Sequence, residues 1–405
     1  MSDFELLCLG KGPQFAAHSI SFVPELTPAD SDQIMLPDLD CVYICPWDKS
    51  IAIIFADFFW EGKPYNVCPR QALKRAMQKA QDAGYKGMAG IEPEFIAMKY
   101  DEDGKPIKAI DSDPIKGIRP RRQAFGYDVE HSLDSMHFFK ELIDILENLG
   151  WNLHDVVAEG AYSQFELDFH YTNLLEMADR LVFLRILLKE IAKKHNMFIT
   201  FMPKPTIGDW RSGAHINFSM IGKNGKNIFS DNGKLSQTGR FFVGGLQKRM
   251  AESAICGSAT VNGFRRRQPY TFCPVNTTWG VDNRTVGIRI IEGSDSATRV
   301  EKRDGGADCN PYLLLAADIA AGLDGIENKM EPSEITTGDG YADSEAGAIP
   351  TSLSEAIELA QKSEWLKNVL GDQLWELVIQ QSERELDFFN NQVTPMETER
   401  YQGNF

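Results

Sequence analysis

The stretch GIEPEFIAM, residues 90–98, decides how we expect the chain to fold around a polar site. It has the apolar character of a buried strand, yet it carries Glu92 and Glu94 two positions apart. Side chains at positions i and i+2 of a strand point to the same face, so the two carboxylates are expected to stand side by side. Like charges that close stay ionised together only if a positive group holds them or if water covers the face. The stretch therefore predicts either a cation site or a solvated sheet face.

The composition indicates a globular protein, with one large domain and a smaller companion. The chain has 405 residues, of which 43% are hydrophobic and 25% charged. A net charge of −16 argues against nucleic acid and against anionic membranes as partners. No stretch is long enough to span a bilayer, and the first residues lack a secretory pattern. The seven scattered cysteines predict a cytoplasmic location, with Cys41 and Cys45 as buried thiols rather than zinc ligands.

Hydrophobic periodicity predicts helices and strands in mixed order. Apolar residues at helical spacing predict helices over 70–83, 134–149 and 173–195, which end at Gly84, Gly150 and Asn196. Strand-like runs lie between and after them: CVYICPW, SIAIIFADFF, MAGIEPEFIAM, FITFMPK, AHINFSM and VGIRII. Strands that occur in pairs with helices between them favour an α+β fold over a doubly wound parallel sheet. A P-loop, a strand-associated G-x-G-x-x-G and a G-x-S-x-G elbow are all missing from the sequence.

Three further stretches place polar side chains on segments that read as strands. AEGAYSQFELDF supplies Glu159 and Glu166, and RVEKR supplies Glu301. In AHINFSM, His215 alternates with apolar residues and shares its face with Asn217 and Ser219. Carboxylates with a minority of imidazole suit Mg²⁺ or Mn²⁺, and the lack of thiolate partners argues against zinc. For His215 taken alone, a hydrogen-bonded structural histidine is the alternative.

Arginines form the second half of the pattern. Within about forty residues the sequence places Arg266, Arg284, Arg289 and Arg303 in apolar or turn-like surroundings. Arginine binds carboxylate and phosphate groups bidentately and neutralises the charge of phosphoryl transition states. A solvated basic turn is the alternative for the run at 265–267. Metals together with arginines suggest phosphoryl transfer to or from a small anion.

These residues, in this order, resemble the glutamine synthetase family. The motifs that carry the resemblance are E-P-E-F at 92–95, E-x4-Q-x-E at 159–166, F-M-P-K-P at 201–205, S-G-x-H at 212–215, N-x-x-R-R at 262–266, D-N-R at 282–284, R-x-E-x-R at 299–303 and N-P-Y at 310–312. The resemblance runs from the Pro-Asp pair at 37–38 to the C-terminus. It implies a small, shortened β-grasp domain over 1–67. It also implies a catalytic domain over 68–405, in which a curved antiparallel sheet with flanking helices forms a funnel.

By match of motif, the resemblance also implies roles for individual residues. One metal ion would be held by Glu94, Glu159 and Glu166, and a second, nearer the nucleotide, by Glu92, His215 and Glu301. Arg266, Arg303 and Gly213 match the glutamate and phosphoryl site, while Arg284 and Arg289, with Asn217 and Ser219, are assigned to ATP. Arg266, Arg284 and Arg303 are the implied catalytic residues. The implied reaction activates the γ-carboxylate of L-glutamate as an acyl phosphate, which an amine then attacks.

Two departures from the family pattern favour an organic amine over ammonium. The run RRQPYTFCP places Phe272 where glutamine synthetases carry an acid that holds ammonium, and an N-terminal acid of that site falls on His18. Trp210-Arg211 replaces the Asn-Gly that precedes S-G-x-H in the family. Without the two anionic partners, Phe272 and Trp210 offer an apolar or cation–π surface. The prediction is therefore a ligase for a small alkylamine, a polyamine or an aromatic amine. The alternative for Phe272 is an ordinary structural anchor of the flap, the name we use for residues 266–274.

Other interpretations stay open at this stage. The protein could be a glutamine synthetase that recruits an acid from elsewhere, for example from the Asp-Ser-Asp at 111–113. It could also be a catalytically silent relative with a structural or regulatory role. The complete ligand set argues against the silent relative. Tyr341, near the position of a nucleotidylated tyrosine in some family members, is interpreted as a loop tyrosine. The resemblance also implies a homo-oligomer of stacked rings, a dodecamer, with sites between neighbouring subunits.

Overall fold

A computed structural model describes residues 14–15, 29–110, 126–206 and 210–403. Position 18 and the Asp-Ser-Asp at 111–113, both considered above, lie outside these residues. The strands are β1 (Gln14–Phe15), β2 (Gln33–Ile44), β3 (Ala52–Trp60), β4 (Lys63–Pro64), β5 (Tyr85–Tyr100), β6 (Pro106–Lys108), β7 (Leu153–Ala158), β8 (Gln164–Phe169), β9 (Thr172–Asn173), β10 (Phe198–Thr200), β11 (Ala214–Gly222), β12 (Ser230–Asp231), β13 (Lys234–Leu235), β14 (Trp279–Val281), β15 (Ile288–Ile291) and β16 (Arg299–Lys302).

The helices are α1 (Pro69–Asp82), α2 (Val129–Asn148), α3 (Leu174–Lys194), α4 (Gln237–Arg249), α5 (Ala254–Gly257), α6 (Val261–Arg265), α7 (Pro311–Glu327), α8 (Leu353–Gln361), α9 (Glu364–Leu370), α10 (Asp372–Asn390) and α11 (Pro395–Tyr401), with a 3₁₀ turn at Gly340–Ala342. No helix in the described part of the chain is both long and apolar enough to cross a membrane.

The main sheet is built around the long strand β5. Its strand order is β14-β15-β16-β11-β5-β8-β7, and β6, β9 and β10 also pair with β5. Every pairing in it is antiparallel except β14 with β15, which confirms the α+β prediction. The pairing of β5 with β11 ends at Pro93, and its pairing with β8 begins at Glu94. Proline has no N–H to give to a ladder, so a change of partner strand suits its position.

Alternation along the central strands separates a core face from a polar face. On β5, Ala89, Ile91, Phe95 and Ala97 belong to the hydrophobic core, whereas Glu92 and Glu94 lie on the opposite face. Strand β11 places Ala214, Ile216, Phe218 and Met220 in that core, and β15 does the same with Ile288 and Ile290. Helices α1 and α3 pack against β5, and α7 packs against both helices and against α4. The other face of these strands carries the polar side chains and is available to form a site.

The helix limits agree closely with the sequence prediction, with one correction. Gly84, Gly150 and Asn196 all have positive φ angles, as expected of residues that end helices in the left-handed conformation. Helix α2 begins five residues earlier than predicted, because the Asp128 carboxylate accepts a hydrogen bond of 2.9 Å from the Glu130 backbone N–H and caps the helix there. Cys41 and Cys45 are free, buried thiols, as predicted.

A separate four-stranded antiparallel sheet, β1 to β4, precedes α1. The buried guanidinium of Arg70, in the first turn of α1, ties this sheet to the helices. It donates hydrogen bonds to Asp38 (2.8 Å) and Asp57 (3.0 Å) of the small sheet and to Asp179 of α3 (2.8 Å). A buried guanidinium is stable only when carboxylates surround it in this way. The division into a β-grasp domain at 1–67 and a catalytic domain at 68–405 stays a prediction.

Candidate active site

The register of the main sheet brings the predicted metal ligands together as cross-strand neighbours. Glu92 of β5 lies directly opposite His215 of β11, and Glu94 lies directly opposite Glu166 of β8. Glu301 of β16 lies opposite Asn217, two positions beyond His215 on the same face. Directly opposed residues have their Cβ atoms about 5 Å apart. Three β-ladders therefore hold five candidate ligands on one patch of the polar face.

The imidazole of His215 lies at the centre of this cluster. Its Nδ1 is 3.5 Å from Glu92 Oε2 and 3.7 Å from Glu301 Oε1, and its Nε2 is 3.7 Å from Glu94 Oε1. Ligand atoms of Glu92, His215 and Glu301 all lie within 4.8 Å of one another, as do those of Glu94, Glu166 and His215. Several carboxylate oxygens around one imidazole nitrogen form a donor set that fits hard divalent cations. The residues present therefore fit the metal ions that the sequence predicts.

The protonation of the cluster reflects its crowding. Burial, with the repulsion of neighbouring carboxylates, raises the pKa of Glu94 to about 8, and the pKa of Glu166 lies well above its usual value for the same reasons. Burial also raises the pKa of Glu159 and lowers that of His215 well below its usual range. The imidazole is thus neutral, as a metal ligand must be, and a divalent cation would relieve the repulsion among the carboxylates.

Glu159 is placed differently from its prediction as a strand residue. It follows the end of β7 at Ala158 and lies in the loop before β8, where its backbone N–H bonds to the Gln164 carbonyl at 2.9 Å. Its carboxylate is absent from the two ligand groups above, in which His215 accompanies Glu94 and Glu166 instead. The assignment of Glu159 to a metal with Glu94 and Glu166 stays a prediction.

Arginines surround the cluster on the side of β15 and β16. The Glu301 carboxylate is buried and bonds to Arg303 and, at 3.2 Å, to Nη1 of Arg289. Arg266 is also buried, and its two Nη atoms donate to the backbone carbonyls of Arg303 and Asp304, both at 3.1 Å. A guanidinium has five N–H groups, so Arg266 keeps donors for a bound anion while its position is fixed.

A buried lysine on the opposite face of β16 anchors the C-terminal end of this strand. Lys302 points away from Glu301 and is buried, with Nζ 2.6 Å from Asp304 Oδ1 and 2.9 Å from Asp318 Oδ1 on α7. These two carboxylates raise the pKa of Lys302, so the ammonium stays charged in the interior. The strand end that carries Glu301, and the carbonyls that hold Arg266, are therefore anchored to the core helix.

A cavity of about 290 Å³ opens on the cluster. Its lining includes the carboxylates of Glu92, Glu94, Glu159 and Glu166, together with Gln164, His215, Arg211, Arg266, Arg284, Arg303, Trp210 and Phe272. Gly213 lies behind Arg266 of this lining, and a Cβ atom added to it would be 2.7 Å from Nη2 of Arg266. Arg284 also borders an adjoining open depression formed by residues 281–284 and 335–338. The cavity therefore joins acidic, basic and aromatic surfaces in one space.

Five predicted residues lie outside this lining: Gly213, Asn217, Ser219, Arg289 and Glu301. Glu301 adjoins the lining because it accepts a hydrogen bond from Arg303, and Arg289 in turn donates one to Glu301. Asn217 donates a hydrogen bond of 2.6 Å to Glu92 and accepts one of 2.9 Å from Arg299 Nε, so in this structure it orients a carboxylate. Ser219 is two residues farther along β11. The assignment of Asn217 and Ser219 to ATP stays a prediction.

Asp168 also belongs to the acidic cluster, although it is not among the site residues predicted above. It lies two positions beyond Glu166 on β8, and its carboxylate comes within 4.8 Å of ligand atoms of Glu92 and Glu166. Burial, with the charge of Glu92, raises its pKa to about 8. The same alternation that drew attention to Glu92 and Glu94 is present in QFELDF and would have identified it. Gln164, which the sequence identifies only as part of the E-x4-Q-x-E motif, donates a hydrogen bond of 3.0 Å to Glu94 Oε2.

Comparisons with known proteins point to one family. The model of the glutamine synthetase catalytic domain matches residues 66–401. Glutamine synthetase of Thermotoga maritima is 33% identical over 92% of this chain and 85% of its own length. A glutamate–isopropylamine ligase of a Pseudomonas species is 32% identical over 93% of this chain and 83% of its own. The solved structure of GmaS without ligand superposes with a TM-score of 0.88 at 30% identity, over 98% of this chain and 91% of that one.

Proposed function

This chain belongs to the glutamine synthetase family of ATP-dependent carbon–nitrogen ligases, and from that premise we propose that it joins the γ-carboxylate of L-glutamate to an organic amine. The observation that carries the proposal is the aromatic pair Trp210 and Phe272, which lies in the wall of the cavity beside Arg266 and Arg303. Two of the proteins that the chain resembles, the glutamate–isopropylamine ligase and GmaS, a γ-glutamylmethylamide synthetase, are named for organic-amine products or substrates.

The proposed chemistry assigns each group of residues a separate task. Arg266 and Arg303 hold the carboxylates of glutamate, and Arg284 and Arg289 neutralise ATP phosphates. ATP transfers its γ-phosphoryl group to the γ-carboxylate, which turns a poor electrophile into an acyl phosphate. The amine nitrogen then forms a bond to the carbonyl carbon, the carbon–oxygen bond to the phosphoryl group breaks, phosphate departs and the nitrogen loses a proton.

Divalent cations fit this scheme, with Mg²⁺ or Mn²⁺ as the proposed ions. Glu92, His215 and Glu301 would hold one of them, and Glu94 and Glu166, with Glu159, the other. When bound, such ions neutralise phosphate oxygens and the developing charge of phosphoryl transfer. Arg289 and Arg303 add further positive charge, which faces Glu301.

A panel of amines tests the proposal directly. We expect glutamate- and Mg²⁺-dependent phosphate release from ATP to be at least about tenfold faster, by kcat/KM, with one organic amine than with ammonium. The panel contains ammonium, methylamine, isopropylamine, ethanolamine, putrescine and aniline, and the γ-glutamyl product is identified by mass spectrometry. Release chiefly with ammonium would show that the protein is a glutamine synthetase.

Restoring an acid on the flap should increase the use of ammonium. Phe272 has a φ of 56°, in the left-handed region that Asp and Asn tolerate better than other residues with side chains. We therefore choose Phe272→Asp, with Phe272→Asn as a control of the same shape and no charge. The ratio of kcat/KM for ammonium to that for the best organic amine should rise about tenfold in the Asp variant only, because one carboxylate contact discriminates by about 1–2 kcal/mol. An equal rise in both variants would mean that loss of the ring, not the charge, changes the preference.

We also propose that the protein acts in the cytoplasm as a dodecamer of stacked rings, with sites between neighbouring subunits. Support comes from the buried free thiols, which suit a reducing compartment, and from the exposed apolar side chains of Leu39, Val42 and Ile44 on β2. The mass of the purified protein by light scattering tests the oligomer, and a monomer in solution would contradict it.

A further inference from the structure

The indole of Trp210 is held in the wall of the cavity by two close neighbours. It lies against Gly160, where an added Cβ atom would be only 2.6 Å from Cε2 and 2.7 Å from Nε1. It also stacks on the ring of Phe272, with 5.1 Å between ring centroids and 20° between planes. Only glycine at position 160 leaves room for this arrangement. We call the surface formed by Gly160, the indole and the phenyl ring the aromatic wall.

The backbone around Phe272 is itself set to present this ring. Tyr270 and Phe272 both have positive φ angles, 61° and 56°, which bulky residues rarely adopt. Such conformations persist only where surrounding contacts enforce them, and they cluster at ligand sites. Tyr270 packs against Tyr341, with ring centroids 5.2 Å apart, and Phe272 remains 46% exposed at the cavity. The flap therefore holds an apolar ring at the mouth of the site.

The charges of the cavity restrict what can lie against the aromatic wall. Within residues 29–110, 126–206 and 210–403, the carboxylates in the lining are the four of the acidic cluster. All four are proposed above as ligands of divalent cations, so they are not available as partners for a second ammonium group. Four arginines share the lining, and Arg211 reaches the flap through a hydrogen bond of 3.1 Å from Nη2 to Gln268 Oε1. A second ammonium group on a substrate would be repelled by these arginines. A hydroxyl group that packed against the aromatic rings would lose its hydrogen bonds to water.

We infer, on the basis of the proposed function, that the amine is a monoamine with an apolar alkyl or aryl substituent, and that this substituent packs against the aromatic wall. Diamines, polyamines and amino alcohols are disfavoured. Burial of the substituent on Trp210 and Phe272 supplies binding free energy in proportion to the apolar area covered. The reactive nitrogen then faces the bound glutamate between Arg266 and Arg303.

Matched amine pairs test this inference separately from the proposed function. n-Propylamine and ethanolamine differ by a methyl group in place of a hydroxyl, and n-pentylamine and putrescine differ by a methyl group in place of a second amine. We expect kcat/KM at saturating glutamate and ATP to favour the apolar member of each pair by about tenfold or more. Preference for ethanolamine or putrescine would overturn the inference and leave an organic-amine ligase. Preference for ammonium over all four amines would instead overturn the proposed function.

Two variants connect the preference to the aromatic wall. Trp210→Ala removes the indole and Gly160→Ala displaces it, so both should reduce the apolar preference to about threefold or less. Tyr100→Ala is the matched control, because it removes one ring of a stacked pair with Phe198 (4.9 Å, 27°) that lies outside the cavity lining. The control should keep the full preference. An unchanged preference in folded Trp210→Ala and Gly160→Ala proteins would show that the wall does not select the amine.

Discussion

Replacing Glu166 with Gln is expected to reduce metal-dependent ATP turnover by on the order of 10²-fold to 10³-fold and, at the same time, to stabilise the metal-free protein. Gln keeps the shape of the side chain but cannot supply an anionic ligand. Glu166 lies opposite Glu94, and its ligand atom is within 4.8 Å of that of Glu94 and that of His215. Loss of its charge therefore weakens the metal site and removes a repulsive contact from the same face.

The stabilisation should depend on pH in a defined direction. Burial and neighbouring acids raise the pKa of Glu166 well above the 4.5 expected in an unfolded chain, so the folded state binds more protons than the unfolded state above pH 4.5. Stability of the metal-free wild type therefore falls as the pH rises from about 4.5 towards the folded-state pKa. Gln does not titrate, so the melting temperature of Glu166→Gln should exceed that of the wild type by about 2 °C or more at pH 8 and match it near pH 4.5.

Calorimetry of Mg²⁺ binding and thermal melts with and without Mg²⁺ check these outcomes. The wild type should melt higher with Mg²⁺, because a ligand that binds only the folded state stabilises it, and the variant should lose most of that increase. Glu102→Gln, the same substitution in an exposed turn outside the cavity, is the control and should resemble the wild type in every measurement. Wild-type Mg²⁺ affinity in Glu166→Gln would show that the acidic cluster does not bind the metal.

The site residues that lie on strands could be predicted from the sequence, because side chains alternate between the two faces of a strand. Period-two patterns place Glu92 with Glu94, and His215 with Asn217, on one sheet face, and the structure has both pairs there. Asp168 follows the same rule, since it lies two positions beyond Glu166 on β8. Helix ends were predictable too, because Gly84 and Asn196 end helices through local backbone preferences.

The rest depends on contacts between segments that are far apart in sequence. Trp210 lies on Gly160 across fifty residues of chain, and neither residue shows by itself that the other is near. Arg266 is fixed by two backbone carbonyls nearly forty residues away. Every residue has such a carbonyl, so the sequence does not show which ones accept hydrogen bonds. Loop residues follow no period, so the sequence pattern predicts a strand at Glu159 where the structure has a loop. The sequence therefore indicated which side chains form the site but not the backbone that orients them.

Gly213→Ala is expected to lower kcat/KM for glutamate by about 10²-fold, although it adds a single methyl group. The new Cβ atom would lie 2.7 Å from Nη2 of Arg266 and 3.3 Å from both Glu94 Oε1 and His215 Nε2. Arg266 has little freedom to move away, since its Nη atoms are bonded to the carbonyls of Arg303 and Asp304 at 3.1 Å. A displacement of about 1 Å in a group that positions substrate costs about 10²-fold in rate.

Kinetic constants and thermal melts should show which part of the site Gly213→Ala damages. Because Arg266 is proposed to hold glutamate, kcat/KM for glutamate should fall, while the relative preference among amines and the rise in melting temperature with Mg²⁺ persist. Gly293→Ala is the matched control, since its added Cβ atom would make only an ordinary contact of 3.6 Å with Ala297. A Gly213→Ala enzyme within twofold of the wild type would mean that Arg266 either moves freely or does not bind glutamate. Loss of the Mg²⁺ response along with activity would place the damage at Glu94 and His215 instead.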